Sequence, residues 1–303
     1  MKLKDWFLLF VLSVIWGSSF IFIKIALREM TPFMIVFTRL ILASVFLLLI
    51  CKFRRLQFPT SAKSLLSLSF LGLINTVAPF FLISWSQQYI DTATASILNA
   101  TSPIFVMILA QFFTEDEKLT ANKFFGVLCG MAGIVVMVAP SMKDGFSIAK
   151  IGPIGVLCAT FLYAVAGIYA KRFKEIPATM VSAISLLGGV IFMLPALIIL
   201  DLPKFYQLCF NTYLSITFLG IFCTAVAYLI YFRIISSSGA TNALLVTLLI
   251  PVSTFVLSVS ILNEKIKSDD IKGMILIFVG LIIIDGRIIK FSAPGKRVWS
   301  KPA

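Results

Sequence analysis

Apolar runs of about twenty residues, separated by short polar connections, recur along the whole chain. A helix of that length crosses the roughly 30 Å hydrocarbon core of a bilayer. Ten such segments are predicted, at 6–26, 33–51, 66–88, 93–113, 121–140, 151–170, 179–200, 213–233, 240–262 and 271–288. Strands of a membrane barrel are half as long and alternate apolar with polar, which these segments do not. An all-α polytopic membrane protein with ten transmembrane helices is therefore expected. The first segment follows Lys2 and Lys4, is too long for a signal-peptide core and lacks a small-residue cleavage site, so it reads as a retained span.

The interruptions of the apolar pattern occur twice. ATASILNATSPIFVMILAQFFTEDEKL starts at Ala93, and ATNALLVTLLIPVSTFVLSVSILNEKI starts at Ala240. Ala95 falls on Ala243, Pro103 on Pro251, and Glu117–Lys118 on Glu264–Lys265. Trp16 falls on Tyr163 and Lys24 on Lys171 at an offset of 147, Thr76 on Thr224 at 148, and Gly126 and Gly133 on Gly273 and Gly280 at 147. Segments one to five thus map onto six to ten. Five is odd, so the second copy must lie upside down relative to the first. The expected domains are two inverted five-helix repeats, 1–145 and 146–290, and a basic tail, 291–303. Inverted repeats mark many secondary transporters, with the substrate near midplane between the repeats.

Composition agrees, at 60% hydrophobic residues, well above the soluble norm of about 45–50%. The net charge of +13 would suit a nucleic-acid partner, but the basic residues sit in short clusters between apolar runs, where they orient spans during insertion. With the N-terminus in the cytoplasm, 17 of the 26 Lys and Arg lie on that side. Seven lie outside (Arg28, Lys143, Lys150, Lys204, Lys265, Lys267 and Lys272), and Lys24 and Arg39 fall within spans. Both termini are expected in the cytoplasm. The five cysteines have no CxxC spacing and histidine is absent, so no metal or cofactor is expected.

Polar residues at mid-span are the candidates for a substrate path. The first copy offers Trp16 and Ser19 in segment one, Asn75 and Pro79 in segment three, and Asn99, Thr101 and Pro103 in segment four. The second offers Tyr163, Thr224, Tyr228, Asn242 and Pro251. A mid-span proline frees a carbonyl, which a wet cavity would satisfy; the alternative is that Pro103 and Pro251 merely kink helices and the Ser and Thr hydroxyls bond back to their own backbone. Arg39 lies about 9 Å inside segment two at 1.5 Å per residue. There a charge costs about 2.5–3.5 kcal/mol on insertion scales and must face protein or water. It either lines the path, or snorkels to the outer surface or caps carbonyls of a neighbouring helix; Lys24, nearer its helix end, is expected to snorkel to the surface. Gly126-x-x-x-Gly130 is a small-xxx-small pattern for close helix packing, within the chain or in a homodimer. All thirteen Asp and Glu lie in connections or within about one turn of a span end, with Asp285 the deepest. Glu264 and the acids at 115–117 read as solvated interfacial charges.

The sequence resembles the EamA-type transporters of the drug/metabolite transporter superfamily over essentially its whole length. The resemblance rests on WGSSFIFIK in segment one, TRLILAS around Arg39, the Ala…Pro…Glu-Lys pattern of segments four and nine, and the Gly-rich segment after each. It implies a ten-helix inverted-repeat carrier of the bacterial inner membrane that exports or exchanges amino acids and related metabolites. A carrier of phosphorylated or nucleotide-linked anions is the second reading, which needs several path-facing cations where only Arg39 and Lys24 are available. A membrane enzyme is the third, and no histidine, acid pair or ligand cluster supports it.

Overall fold

Helices account for every regular element among the described residues, because an apolar segment in lipid must satisfy its backbone internally. The computed structural model describes residues 3–59, 61–113, 121–142, 151–198, 207–239, 243, 245–265 and 267–285. In the first half these are α1 (Leu3–Ala26), α2 (Pro32–Phe53), α3 (Ala62–Gly72), α4 (Ala78–Ser86), α5 (Thr92–Asn99), α6 (Ser102–Phe113) and α7 (Ala121–Met142). The second half contains α8 (Gly152–Ala170), α9 (Ala178–Met193), α10 (Phe210–Thr217), α11 (Ala227–Ser238), α12 (Val246–Leu262) and α13 (Ser268–Asp285). All ten predicted segments carry helix, and seven helical runs are long and apolar enough to cross a membrane. Shorter apolar helices occupy Phe124–Ala139 and Val246–Leu262. Exposed Phe112, Val135, Ile191, Val256 and Ile275 on the outside of the bundle are the side chains a lipid solvent accepts.

Local sequence sets several ends. Thr31 caps α2, its hydroxyl accepting from the Met34 N–H at 3.4 Å, with Pro32 at the first helical position. Between α3 and α4 the chain winds as a π-helix over Leu73–Val77, and between α10 and α11 it does so over Phe218–Val226. At the offset of 148 the first of these segments falls inside the second. Such widened turns splay side chains and often mark functional positions.

The two halves interleave. α1 packs on α12 as α6 packs on α8; the first π-segment packs on α9 as the second packs on α2; α4 packs on α8 as α11 packs on α1. Exchanging the halves turns each of these pairs into the other, while α2·α9 and α7·α13 map onto themselves. The α7·α13 pair uses the small-residue stripe within one chain. A Cβ on Gly280 would lie 2.6 Å from Gly126 O and from Gly130 N, so only glycine permits this approach.

The expected symmetry of the proline breaks does not hold. Segment four is broken at Ala100–Thr101, between α5 and α6, whereas α12 runs unbroken through Pro251. The carbonyl opposite Pro103 belongs to Asn99, and the Ser102 hydroxyl donates to it at 2.8 Å. The break is thereby satisfied locally.

Candidate transport cavity

A cavity of about 530 Å³ lies between the halves, of the size that small-molecule sites occupy. Its wall draws on α1–α6, both π-segments, α8, α9, α11 and α12. It runs along one face of α8 past Tyr163, Ala166, Gly167 and Ala170 to Phe173 and Lys174, and reaches Ala178 at the start of α9. Lys174 and Ala178 are exposed, so the cavity has its mouth at this end. A Cβ built on Gly167 would meet no atom within 4 Å, which places open space against this helix. The N-terminus of α1 stands at the same end, where Ser237 and Ser238 donate to the buried Asp5 carboxylate at 2.9 and 2.7 Å.

The opposite end is packed shut. Gln87, fully buried, donates from Nε2 to Phe20 O at 2.9 Å, and Lys24 Nζ donates to Gln87 O and Ile90 O at 2.7 and 3.2 Å. Lys24 therefore caps the carbonyl end of α4 instead of snorkelling, because those unpaired carbonyls lie within its reach. Beyond it, Glu264 caps the N-terminus of α5. Both its oxygens accept from Thr92 N at 3.0 Å, and Oε2 also accepts from Ala93 N at 3.4 Å. Lys267 pairs with Asp91 at 2.8 Å, and Thr94 donates to Asp270 at 2.9 Å. Glu264 is thus no free interfacial charge: a carboxylate at a helix N-terminus is held by its N–H groups and its dipole.

Of the sequence candidates, Trp16, Ser19, Arg39, Asn75, Asn99, Tyr163 and Tyr228 line the cavity. Thr224 does not, but its hydroxyl accepts from Arg39 Nε at 2.7 Å while donating to Leu219 O across the π-turn at 2.7 Å. Thr101 turns away, its hydroxyl on Leu98 O at 2.6 Å. Pro79 opens α4, Pro103 sits in the first turn of α6, and Pro251 is buried inside α12; these three shape helices and do not line the wall. Asn242 lies outside the described residues, as do the acids at 115–117. Phe80, Tyr231, Ser185 and Lys174 were not singled out from the sequence, and neither was the small face of α8. The spacing of Tyr163, Ala166, Gly167 and Ala170 is the signal that was there to find.

The wall is largely aromatic and aliphatic, with a few polar groups. Among the described residues that line it, the charged ones are Arg39 and Lys174, and none is acidic. Arg39 is 5% exposed, with its guanidinium carbon 3.8 Å from the centroid of the Phe80 ring. Asn99 Oδ1, at the broken end of α5, and Ser185 Oγ are buried and have no hydrogen-bond partner among the described residues.

A helical membrane protein in two interleaved halves, with a cavity between them that is open at one end, belongs to the transporter class. The chain is a member of the EamA-like transporter family, whose model matches residues 4–139 and again 150–285. It is 24% identical to the uncharacterized transporter YoaV of Bacillus subtilis, over 89% of this chain and 93% of that one. It is 26% identical to the probable amino-acid metabolite efflux pump of Escherichia coli, over 93% and 95%. A solved crystal structure shares the fold at a TM-score of 0.67 and 16% identity, covering 94% of this chain and 99% of that one.

Proposed function

We propose that this chain is a secondary transporter of the inner membrane that exports neutral or zwitterionic metabolites of amino-acid size through the cavity by alternating access. In this reading the ten helical segments cross the membrane as two inverted five-helix repeats with both termini in the cytoplasm. The cavity mouth at α8 and α9 then faces the cytoplasm, and the Lys24, Gln87 and Glu264 contacts close the outer end. The carrying observation is that one cavity between the halves opens at one end while the other end is sealed by contacts between side chains and helix ends.

Chemistry narrows the substrate. Trp16, Phe80, Tyr163, Tyr228 and Tyr231 offer apolar area, while Asn99 Oδ1 at the carbonyl end of α5 suits an ammonium group. One deep cation is too few for a phosphate dianion. The names of the efflux-pump relatives point the same way. Transport assays in proteoliposomes test the reading. Competition by neutral amino acids should exceed that by sugar phosphates or quaternary amines; the reverse order contradicts it. Without an acid in the described wall, uptake should follow the substrate gradient, and strict dependence on an imposed pH gradient contradicts that part.

A further inference from the structure

Arg39 is a buried cation with no carboxylate partner among the described residues. Among the described residues the ion pairs join Lys267 to Asp91 and Lys272 to Asp269, and no Asp or Glu lines the cavity. Its hydrogen bond to a described residue runs from Nε to Thr224 Oγ1, and its face lies on Phe80. A guanidinium has five donors in a rigid fork. Tethered at Nε and stacked on a ring, it is fixed in orientation while its two terminal nitrogens stay available for a bidentate acceptor.

The second half carries no equivalent charge. At an offset of 146, Arg28–Glu29 falls on Lys174–Glu175 and Met34 on Met180, which puts Arg39 on Ser185. Ser185 lines the same cavity, with its hydroxyl unpartnered among the described residues. The duplication thus leaves one strong anion site at depth, on one side of the path only. Leaving such a charge buried and unpaired is costly, and an anionic group arriving with the ligand relieves that cost.

We propose that Arg39 is the specificity-determining residue of the cavity: its fork receives the substrate's carboxylate, so the carrier takes carboxylates and discriminates against amides of the same shape. This rests on the cavity being the substrate site. Thr224 and the second π-segment are the positioning elements, since the widened turn is what lets the Thr224 hydroxyl reach Leu219 O and Arg39 together.

The test is the initial uptake of leucine and of leucinamide by proteoliposomes holding wild type, Arg39→Gln or Arg39→Lys. Wild type should favour leucine about tenfold or more, the size of one charge-assisted hydrogen-bonded pair. Arg39→Gln should bring the ratio near one without lowering the melting temperature, and Arg39→Lys should restore part of it. A wild type that takes both probes alike, or an Arg39→Gln protein that keeps the ratio, overturns the assignment and leaves the amino-acid path standing. Loss of both probes in proportion, together with a lowered melting temperature, also counts against it. If wild type takes up neither probe, the amino-acid reading fails and this assignment with it.

Discussion

Glu264, just beyond α12, holds the N-terminus of α5 through Thr92, whose backbone N–H lies 3.0 Å from each of its carboxylate oxygens. The contact joins the two halves at the closed end of the cavity. Asn263, in the left-handed conformation at φ 54°, ends α12 immediately before it. In the proposed alternating-access cycle this contact must break whenever this end, the outer one in that reading, opens.

Removing it should therefore bias the carrier toward outer opening. A cap with a full charge on the helix dipole contributes about 1–2 kcal/mol, so Glu264→Ala should shift the balance of closed to open by roughly five- to thirtyfold. A cysteine at Ile23, which lines the cavity toward that end and is 2% exposed, reports the change in a background of serines. Its alkylation by an impermeant maleimide from outside should be several-fold faster in Glu264→Ala. An unchanged rate counts against the latch.

At the same end Glu29 and Cys209 tune each other. The Cys209 thiol, the Thr212 side chain and the Cys209 backbone N–H at 2.9 Å hold the Glu29 carboxyl below its ordinary 4.5, and the Glu29 carboxylate raises the thiol above its ordinary 9.0. A depressed carboxyl contributes its contact fully above about pH 4.5 and loses it as the pH falls through the depressed value. Near pH 8 the carboxylate is charged and suppresses the thiolate. Glu29→Gln should therefore speed alkylation of Cys209 at pH 8, measured by maleimide mass tagging, and an equal rate contradicts the pairing. In intact cells the impermeant reagent should reach Cys209 from outside. Labelling only after lysis contradicts the orientation.

Much of the architecture is legible in the sequence because lipid imposes one rule on every segment. The ten apolar segments and the pairing of Trp16 with Tyr163 follow from length and spacing alone, and Arg39 stands out because a deep charge must be accommodated. The π-segments leave no such trace: a shift of the hydrogen-bond ladder by one residue alters no periodicity, so Thr224 reads as a lining residue when it is the tether of Arg39. Pro103 and Pro251 look equivalent, yet the helix is interrupted just before Pro103 and runs unbroken through Pro251; at the first site Ser102 follows Thr101 and takes the freed carbonyl of Asn99. Lys24 and Glu264 read as surface charges because their partners, the ends of α4 and α5, lie more than sixty and about 170 residues away. The small face of α8 hides inside an apolar run whose lipid side is equally apolar.

The central claim is that substrate passes through the cavity between the halves. Gly167 tests it, because a side chain there enters open space at the mouth and disturbs no packing. Labelled leucine uptake should be measured in proteoliposomes of wild type and Gly167→Trp, with melting curves for both. The account predicts uptake by wild type above empty liposomes, and its loss in Gly167→Trp at an unchanged melting temperature. Uptake by the plugged protein at the wild-type rate would contradict it.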